Sequence, residues 1–491
     1  MTTSKDEAIG CAARCRPDTI EEENTMHAET GSQWNVAELE DAARRHLINP
    51  AEEMSKLGTS GGRPLLTSAN GIYIHDSQGR TFIDGPGGMW CTQVGYNSQP
   101  IADAISAQAL RICYNSPWFS INGPASELAR RIASFAPGDL DHVFFTTGGS
   151  TAVDSALRFM QFYNNVLGRP GKKAIICRID GYHGSTHLTA ACSGRAGNRP
   201  NFDLELDNVS FISAPNVFRR PRGMSEAAFL DFLVAEFEAR VATLGADNVG
   251  AFLAEPLLAS GGVLIPPKGY HRRILEICRK HDILYISDEV VTGFGRCGHW
   301  FASEEVFDIV PDIITFAKGV TSGYVPLGGF VISDAVLARV SGENAKGSFY
   351  TNGYTYSGHP VSCAAALANI DVIEDNNLLA HVCDIAPYFQ EQIRKLGELP
   401  MIGDARGMGL VACVECVTDP DADAATDIDK EAALRVDRYC YEGGLIVRPI
   451  GSMCVLSPAL IITREQIDDM MAILRDSIVR VQDELKAEGR W

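Results

Sequence analysis

The sequence predicts an α/β protein: a large domain built on a mostly parallel sheet with helices on both faces, and a smaller α+β domain. Three observations lead there. From about residue 142, short β-branched runs alternate with stretches of helical period. Those runs are apolar almost throughout instead of alternating in polarity, as in strands buried on both faces. From about residue 365 the pattern changes to a long helix, short strands and a final amphipathic helix from Arg464.

The elements follow in order. Residues 142–147 (HVFFTT) read as a strand running into Gly148 and Gly149. Ala152, Ala156, Leu157, Met160 and Tyr163 then recur at helical spacing. Residues 173–179 and 249–254 are the next strands, the latter followed after a glycine-rich turn by a helix from Tyr270 to His281. Residues 283–287, 313–317 and 328–333 complete the strands that matter. In such sheets ligands bind beyond the carboxyl ends of the strands.

Composition narrows the class. With 491 residues, 45% hydrophobic and 21% charged, the chain can bury a sizeable core. A net charge of -19 argues against nucleic acid or an anionic membrane as partner. No apolar run of about 18 residues suggests a membrane span. Residues 1–33 are polar and irregular without an apolar signal core, and are expected to form a mobile extension. The fourteen cysteines are scattered through apolar stretches. Cys413 and Cys416 match C-x-x-C but lie in a strand-like run, where positions three apart face opposite ways. Buried reduced thiols and a cytoplasmic protein are the expectation; no metal site is expected.

Four strand ends carry polar or glycine-rich groups. Residues 146–152 form a glycine turn opening a helix, whose N–H groups and dipole suit a phosphate; such turns are also ordinary structural devices. Residues 181–184 (GYHG) offer Tyr182 to stack on a flat ring and His183 to hydrogen-bond, or simply make a turn. Asp288, directly after an apolar strand, would be a buried carboxylate needing a cation. A protonated pyridine nitrogen satisfies it, and the carboxylate in turn raises that nitrogen's pKa; capping a turn is the plainer role. Lys318, also just past an apolar strand and followed by a flexible Gly319, suits a Schiff base, since desolvation leaves its amine nucleophilic.

In this order the four resemble the class III, fold-type I aminotransferases that depend on pyridoxal 5′-phosphate (PLP). The resemblance runs through residues 252–256 (FLAEP), 288–296 (DEVVTGFGR) and 311–319 (PDIITFAKG), continues at 353–360 and 444–449, and covers roughly residues 35–485. It implies that Lys318 holds the cofactor as a Schiff base and that Asp288 pairs with the pyridine nitrogen. It further implies that Val290 and Tyr182 pack on the two ring faces, that Gly149 and Ser150 bind phosphate, and that His183 and Glu255 lie beside the cofactor. Thr355 resembles a threonine reaching the partner subunit's phosphate, so a homodimer with shared active sites is implied, with a tetramer left open. The implied domains are residues 34–95 and 365–491 as the two parts of the small domain and 96–364 as the large PLP-binding domain.

Relatives that use 2-oxoglutarate resemble one another in a Glu shortly after the Glu-Pro pair and an Arg before Pro-Pro-Leu. Ser260 and Val455 stand at the matching positions. Arg448 resembles the mobile arginine of the ω-amino acid and amine:pyruvate transaminases, which binds a carboxylate or swings away from an apolar group. Ser452, where an Asp is common, and Ser457 with Pro458 in place of Pro-Pro depart from that pattern. Trp90 and Trp118 resemble the aromatic wall of the substrate pocket. The expectation is a transaminase taking an amino group from an ω-amino acid or primary amine to a keto acid, pyruvate foremost, with pyridoxamine phosphate arising in the cycle. A decarboxylase or aminomutase of the same family is the alternative. A non-catalytic binding protein on this fold, or an NAD(P)-dependent oxidoreductase, fits less well, since no G-x-G-x-x-G opens a helix.

Overall fold

Strand after strand places apolar side chains on both faces, and the resulting sheet is covered on both. The computed structural model describes residues 35–58 and 63–491; the expected extension over residues 1–33 lies outside them. Seven strands form the central sheet in the order Leu140–Thr146, Gly328–Ser333, Ile313–Phe316, Leu284–Asp288, Val249–Ala254, Ala174–Arg178, Val209–Ile212. Gly328–Ser333 is antiparallel to both of its neighbours, and every other adjacent pair is parallel. The predicted mostly parallel sheet is therefore present.

The doubly covered sheet explains the missing alternation. Ile175, Cys177, Ala251, Leu253, Leu284 and Ile286 pack under the helix Gly149–Val166. Ile176, Phe252, Ala254 and Tyr285 point the other way, into a core with the helices Glu226–Leu244 and Tyr270–Lys280. Burying a side chain of this size stabilises the fold by roughly 1.5–3 kcal/mol.

The chain divides into two compact units, residues 1–65 and 66–491. In the first, the helix Val36–His46 starts where Asn35 accepts from the Ala37 N–H, and none of its residues is buried. In the second, two four-stranded sheets flank the carboxyl-terminal helices. One joins Leu66–Asn70, Tyr73–Asp76 and Thr81–Asp84 to Leu445–Ile446, across more than three hundred residues of chain. The other contains Ile402–Met408, Val411–Cys416, Met453–Leu456 and Arg448–Ile450. The region after residue 365 holds more than the sequence suggested: a helix Asp427–Glu442 lies between its strands, closed by a capping box at Thr426 and Asp429. The final helix runs Arg464–Ala487, beginning at the expected residue.

Among the described residues the twelve cysteines are free thiols. Cys413 and Cys416 share the strand Val411–Cys416 and are fully buried. Cys113 and Cys383 are exposed, unlike the buried thiols expected.

Register fixes the chemistry at one edge. Ala254 pairs with Ser287, and Asp288 with Thr315, so the parallel strands end side by side. Next to Asp288, Glu289 is wholly consumed by structure: its carboxylate accepts from the Ala302 N–H at 2.6 Å, the Ser303 N–H at 2.9 Å, the Ser303 hydroxyl at 2.5 Å and Thr292 Oγ1 at 3.0 Å. Glu289→Ala leaves these donors unpaired in the core, at a cost of roughly 1–3 kcal/mol. The expected result is a lower thermal unfolding midpoint than wild type, read by circular dichroism; an unshifted midpoint would contradict it.

Candidate active site

Asp288, Lys318, Tyr182 and Gly149 sit at or just past the ends of strands of the central sheet. Asp288 is the last residue of Leu284–Asp288 and is 4% exposed. Its Oδ2 lies 2.7 Å from His183 Nδ1, and its Oδ1 accepts from Thr315 Oγ1 at 3.1 Å and the Val290 N–H at 3.3 Å. These contacts hold the carboxylate in one orientation while leaving it lone pairs for a further donor. His183 thus acts on Asp288, and its own N–H is held by Ser193 Oγ at 3.0 Å. Thr315 escaped the sequence reading; only strand register reveals it.

Lys318 opens the short 3-10 turn Lys318–Thr321 with a left-handed φ of 47°. Burial holds its amine below the usual lysine range, while Asp288, Cys91 and Glu255 pull the other way and Arg448 adds to the lowering. Packing also crowds position 319: a β-carbon on Gly319 would stand 2.1 Å from Gln93 Nε2. Asn369 donates to the Gly319 and Val320 carbonyls at 2.9 and 3.1 Å, tying the turn to the helix Pro360–Asp375.

The phosphate-sized cradle lies at the start of the helix Gly149–Val166. Gly148 precedes it without a side-chain cap, so first-turn N–H groups face outward with the positive dipole end. A β-carbon on Gly149 would stand 3.0 Å from Val290 Cγ1, so Val290 and the cradle are in contact. Ser150 Oγ accepts from the Ser185 N–H at 3.0 Å and keeps its own proton to donate. The Tyr182 hydroxyl meets Ser185 Oγ at 3.0 Å, and its N–H donates to Glu255 Oε1 at 3.0 Å. Glu255 also accepts from the Ala259 N–H at 3.1 Å, and burial pushes its carboxyl up. Glu255 therefore fixes the turn that carries Tyr182.

Trp90 is 2% exposed and held in a left-handed conformation, φ 60°. The preceding turn is docked on the Ser457 segment: the Ser457 N–H donates to Gly85 O and its hydroxyl to Pro86 O, both at 2.7 Å. Two cations face the indole, Lys318 Nζ at 5.8 Å and Arg448 Cζ at 4.6 Å from its centroid. The structure thus brings together Lys318, Trp90 and Arg448, three residues from distant parts of the sequence. Arg448 also touches Met89 Sδ, and burial and Arg195 lower its pKa. Trp118 and Thr355 are not part of this group. Trp118 is 59% exposed and packs near Gly353, and Thr355 is exposed two residues beyond.

These residues fit PLP. A pinned buried carboxylate, a desolvated lysine, an uncapped helix start and Val290 against that start supply a partner for each part of the cofactor. A proton balance tests the lysine. Its folded pKa lies below its unfolded value, so between the two the unfolded chain binds more protons and stability rises with pH. Chemical denaturation of the cofactor-free protein should show stability increasing as pH rises toward about 10.4, and Lys318→Met should flatten that rise; identical profiles would contradict the burial of the amine.

Comparison with known proteins agrees with this geometry. The family model described as aminotransferase class-III matches residues 60–478. A putrescine–pyruvate aminotransferase of Pseudomonas aeruginosa is 37% identical over 89% of this chain and 95% of its own. A diaminobutyrate–2-oxoglutarate transaminase of Halomonas elongata is 36% identical over 88% of this chain and 93% of its own. Among solved structures, an (S)-enantioselective omega-transaminase from Thermomicrobium roseum superposes with a TM-score of 0.87 at 32% identity, covering 91% of this chain and 99% of that one. The chain belongs to the class III aminotransferases and is a PLP-dependent transaminase of fold type I.

Proposed function

We propose that this chain transfers an amino group from a primary amine or ω-amino acid to a keto acid, with pyruvate the preferred acceptor. The observation that carries the reading is the convergence of Lys318 and Arg448 on the Trp90 indole. Arg448 stands in no ion pair among the described residues, so its guanidinium is free for a carboxylate. Trp90 gives the same space an apolar wall for a neutral donor.

The acceptor preference follows from what neighbours Arg448. Its cross-strand partner is Val455, fully buried in an apolar cluster with Trp90. Where the 2-oxoglutarate branch is expected to carry an arginine, this strand pair therefore presents one guanidinium and an apolar side chain. Ser260 likewise offers no carboxylate. The two quoted relatives differ in acceptor, so the preference rests on these positions.

PLP, when bound, supplies the electron sink that lets a substrate C–H bond ionise. The protein supplies the rest. Asp288, oriented by His183 and Thr315, keeps a ring nitrogen protonated. Gly149 and Ser150 hold the phosphate with N–H and hydroxyl groups. Tyr182 and Val290 would pack against the ring. Lys318, whose amine burial makes less willing to hold a proton, would anchor the cofactor covalently and, once displaced, would move the proton at the reacting carbon.

A homodimer with shared sites completes the reading. Trp118, Phe119, Ile121, Phe349 and Tyr356 are 57–91% exposed, a surface too apolar for a solitary chain. Tyr114 stacks edge-on against Tyr356 at 6.0 Å, joining the two segments into one patch that includes Thr355. We place residues 34–95 and 365–491 together as the small domain around 96–364, and the protein in the cytoplasm on the strength of its free thiols. No helix among the described residues is long and apolar enough to cross a membrane.

A donor panel run against pyruvate and 2-oxoglutarate should show higher kcat/KM with pyruvate, and a clear 2-oxoglutarate preference would overturn the acceptor assignment. Arg448→Ala should raise KM for pyruvate by about 10–100-fold; an unchanged KM removes Arg448 from carboxylate binding. Phe119→Glu should shift the sedimentation coefficient from dimer to monomer with loss of activity, whereas a dimer that persists would place the interface elsewhere.

A further inference from the structure

Beside the Tyr182 turn the structure leaves charges of both signs unpaired. Ile179 and Gly194 form a parallel bridge, and the Asp180 N–H donates to Gly194 O at 3.3 Å. One residue past that bridge on each segment stand Asp180 and Arg195, side by side. Asp180 lies two residues before Tyr182 and against the loop after Ser260: a β-carbon on Gly261 would stand 3.2 Å from Asp180 Cβ. Arg195 in turn is close enough to Arg448 to act on it electrostatically.

The neighbouring acids Glu415 and Asp404 are paired. Glu415 accepts from Arg219 at 2.7 Å and from Arg406 at 2.8 Å, and Asp404 accepts from Arg406 at 2.6 Å. The side chains of Asp180, Arg195 and Arg448, by contrast, make no ion pair among the described residues. Asp180 is also partly buried, and its backbone has a left-handed φ of 64°. A strained, half-desolvated carboxylate without a hydrogen-bond donor costs stability unless it meets a cation in use. Burial pushes its carboxyl up, opposed by Arg195 and reinforced by Glu415. Trp90 and Lys318 share the same left-handed strain.

We propose that Asp180 receives the distal ammonium group of a diamine donor, while Arg448, with Arg195 beside it, receives the carboxylate of the keto-acid acceptor. One pocket then serves a doubly cationic substrate and an anionic one in turn. Without Asp180 the two guanidiniums would repel a second ammonium; with it, the donor end of the pocket is neutralised. The assignment rests on the transaminase reading above and adds a selectivity residue to it.

The test compares 1,4-diaminobutane with 1-aminobutane, which has the same carbon chain and no second charge. Calorimetric dissociation constants are measured on the PLP-loaded Lys318→Ala variant, with and without Asp180→Asn, and kcat/KM on the otherwise native enzyme. The wild-type Asp180 background should favour the diamine, and Asp180→Asn should reduce that preference by about tenfold or more. Asp180→Glu should restore part of it, which a merely structural role would not do. An unchanged ratio, or no diamine binding, overturns the proposal. Failure of every amine to transfer its nitrogen to any keto acid, with the binding preference intact, would instead overturn the transaminase reading and leave Asp180 as a diamine receptor.

Discussion

A carboxylate at a strand tip with almost no access to water is the constraint around which the site is arranged. Asp288 is 4% exposed, and an unpaired charge there is costly. The fold instead surrounds it with His183, Thr315 and the Val290 N–H, which orient it without adding a permanent counter-charge. Its remaining lone pairs stay available to a further donor. Its neighbour Glu289 shows the opposite solution: four donors satisfy it inside the protein, and nothing remains for a ligand. Two adjacent acids, similarly buried, thus differ in how far donors inside the protein satisfy them.

Lys318 extends the same logic. Register sets Asp288 opposite Thr315, and the chain turns just beyond that threonine, so the lysine emerges beside the carboxylate. The turn is left-handed and sterically tight, with Gln93 filling the space a side chain at position 319 would need. Asn369 secures it from the helix Pro360–Asp375. The strain is held by packing, which fixes a reactive amine that burial has made less willing to carry a proton.

Much of this was legible in the sequence because strand ends are marked by a change from apolar to polar or glycine residues. Asp288, Lys318, Gly149 and Tyr182 all follow such changes, and parallel strands bring such ends to one edge. The sheet was legible for a related reason: unalternating apolar runs require cover on both faces. What stayed hidden depends on register and on long-range approach. Thr315 is one polar residue within an apolar strand until its partner strand is known. Arg195 carries no local signal, and its place beside Asp180 arises from a single bridge between Ile179 and Gly194. The helix Asp427–Glu442 was missed because its interrupted apolar pattern lies between short strands; its capping residues were the readable sign.

Trp90 shows why a transaminase pocket can serve unlike substrates without being rebuilt. One indole, 2% exposed, faces Lys318 at 5.8 Å and Arg448 at 4.6 Å. Its π-face attracts a guanidinium, so Arg448 has a resting place that needs no carboxylate. That attraction is of order 0.5–2 kcal/mol, weaker than a bidentate charge-assisted pair with a keto acid. A carboxylate that reached the guanidinium would thus compete favourably with the ring for it. Arg448 has no competing ion pair among the described residues, so leaving the ring would break none. The segment before the indole is itself held by Ser457, through Gly85 and Pro86, so the ring keeps a fixed place beneath the two cations.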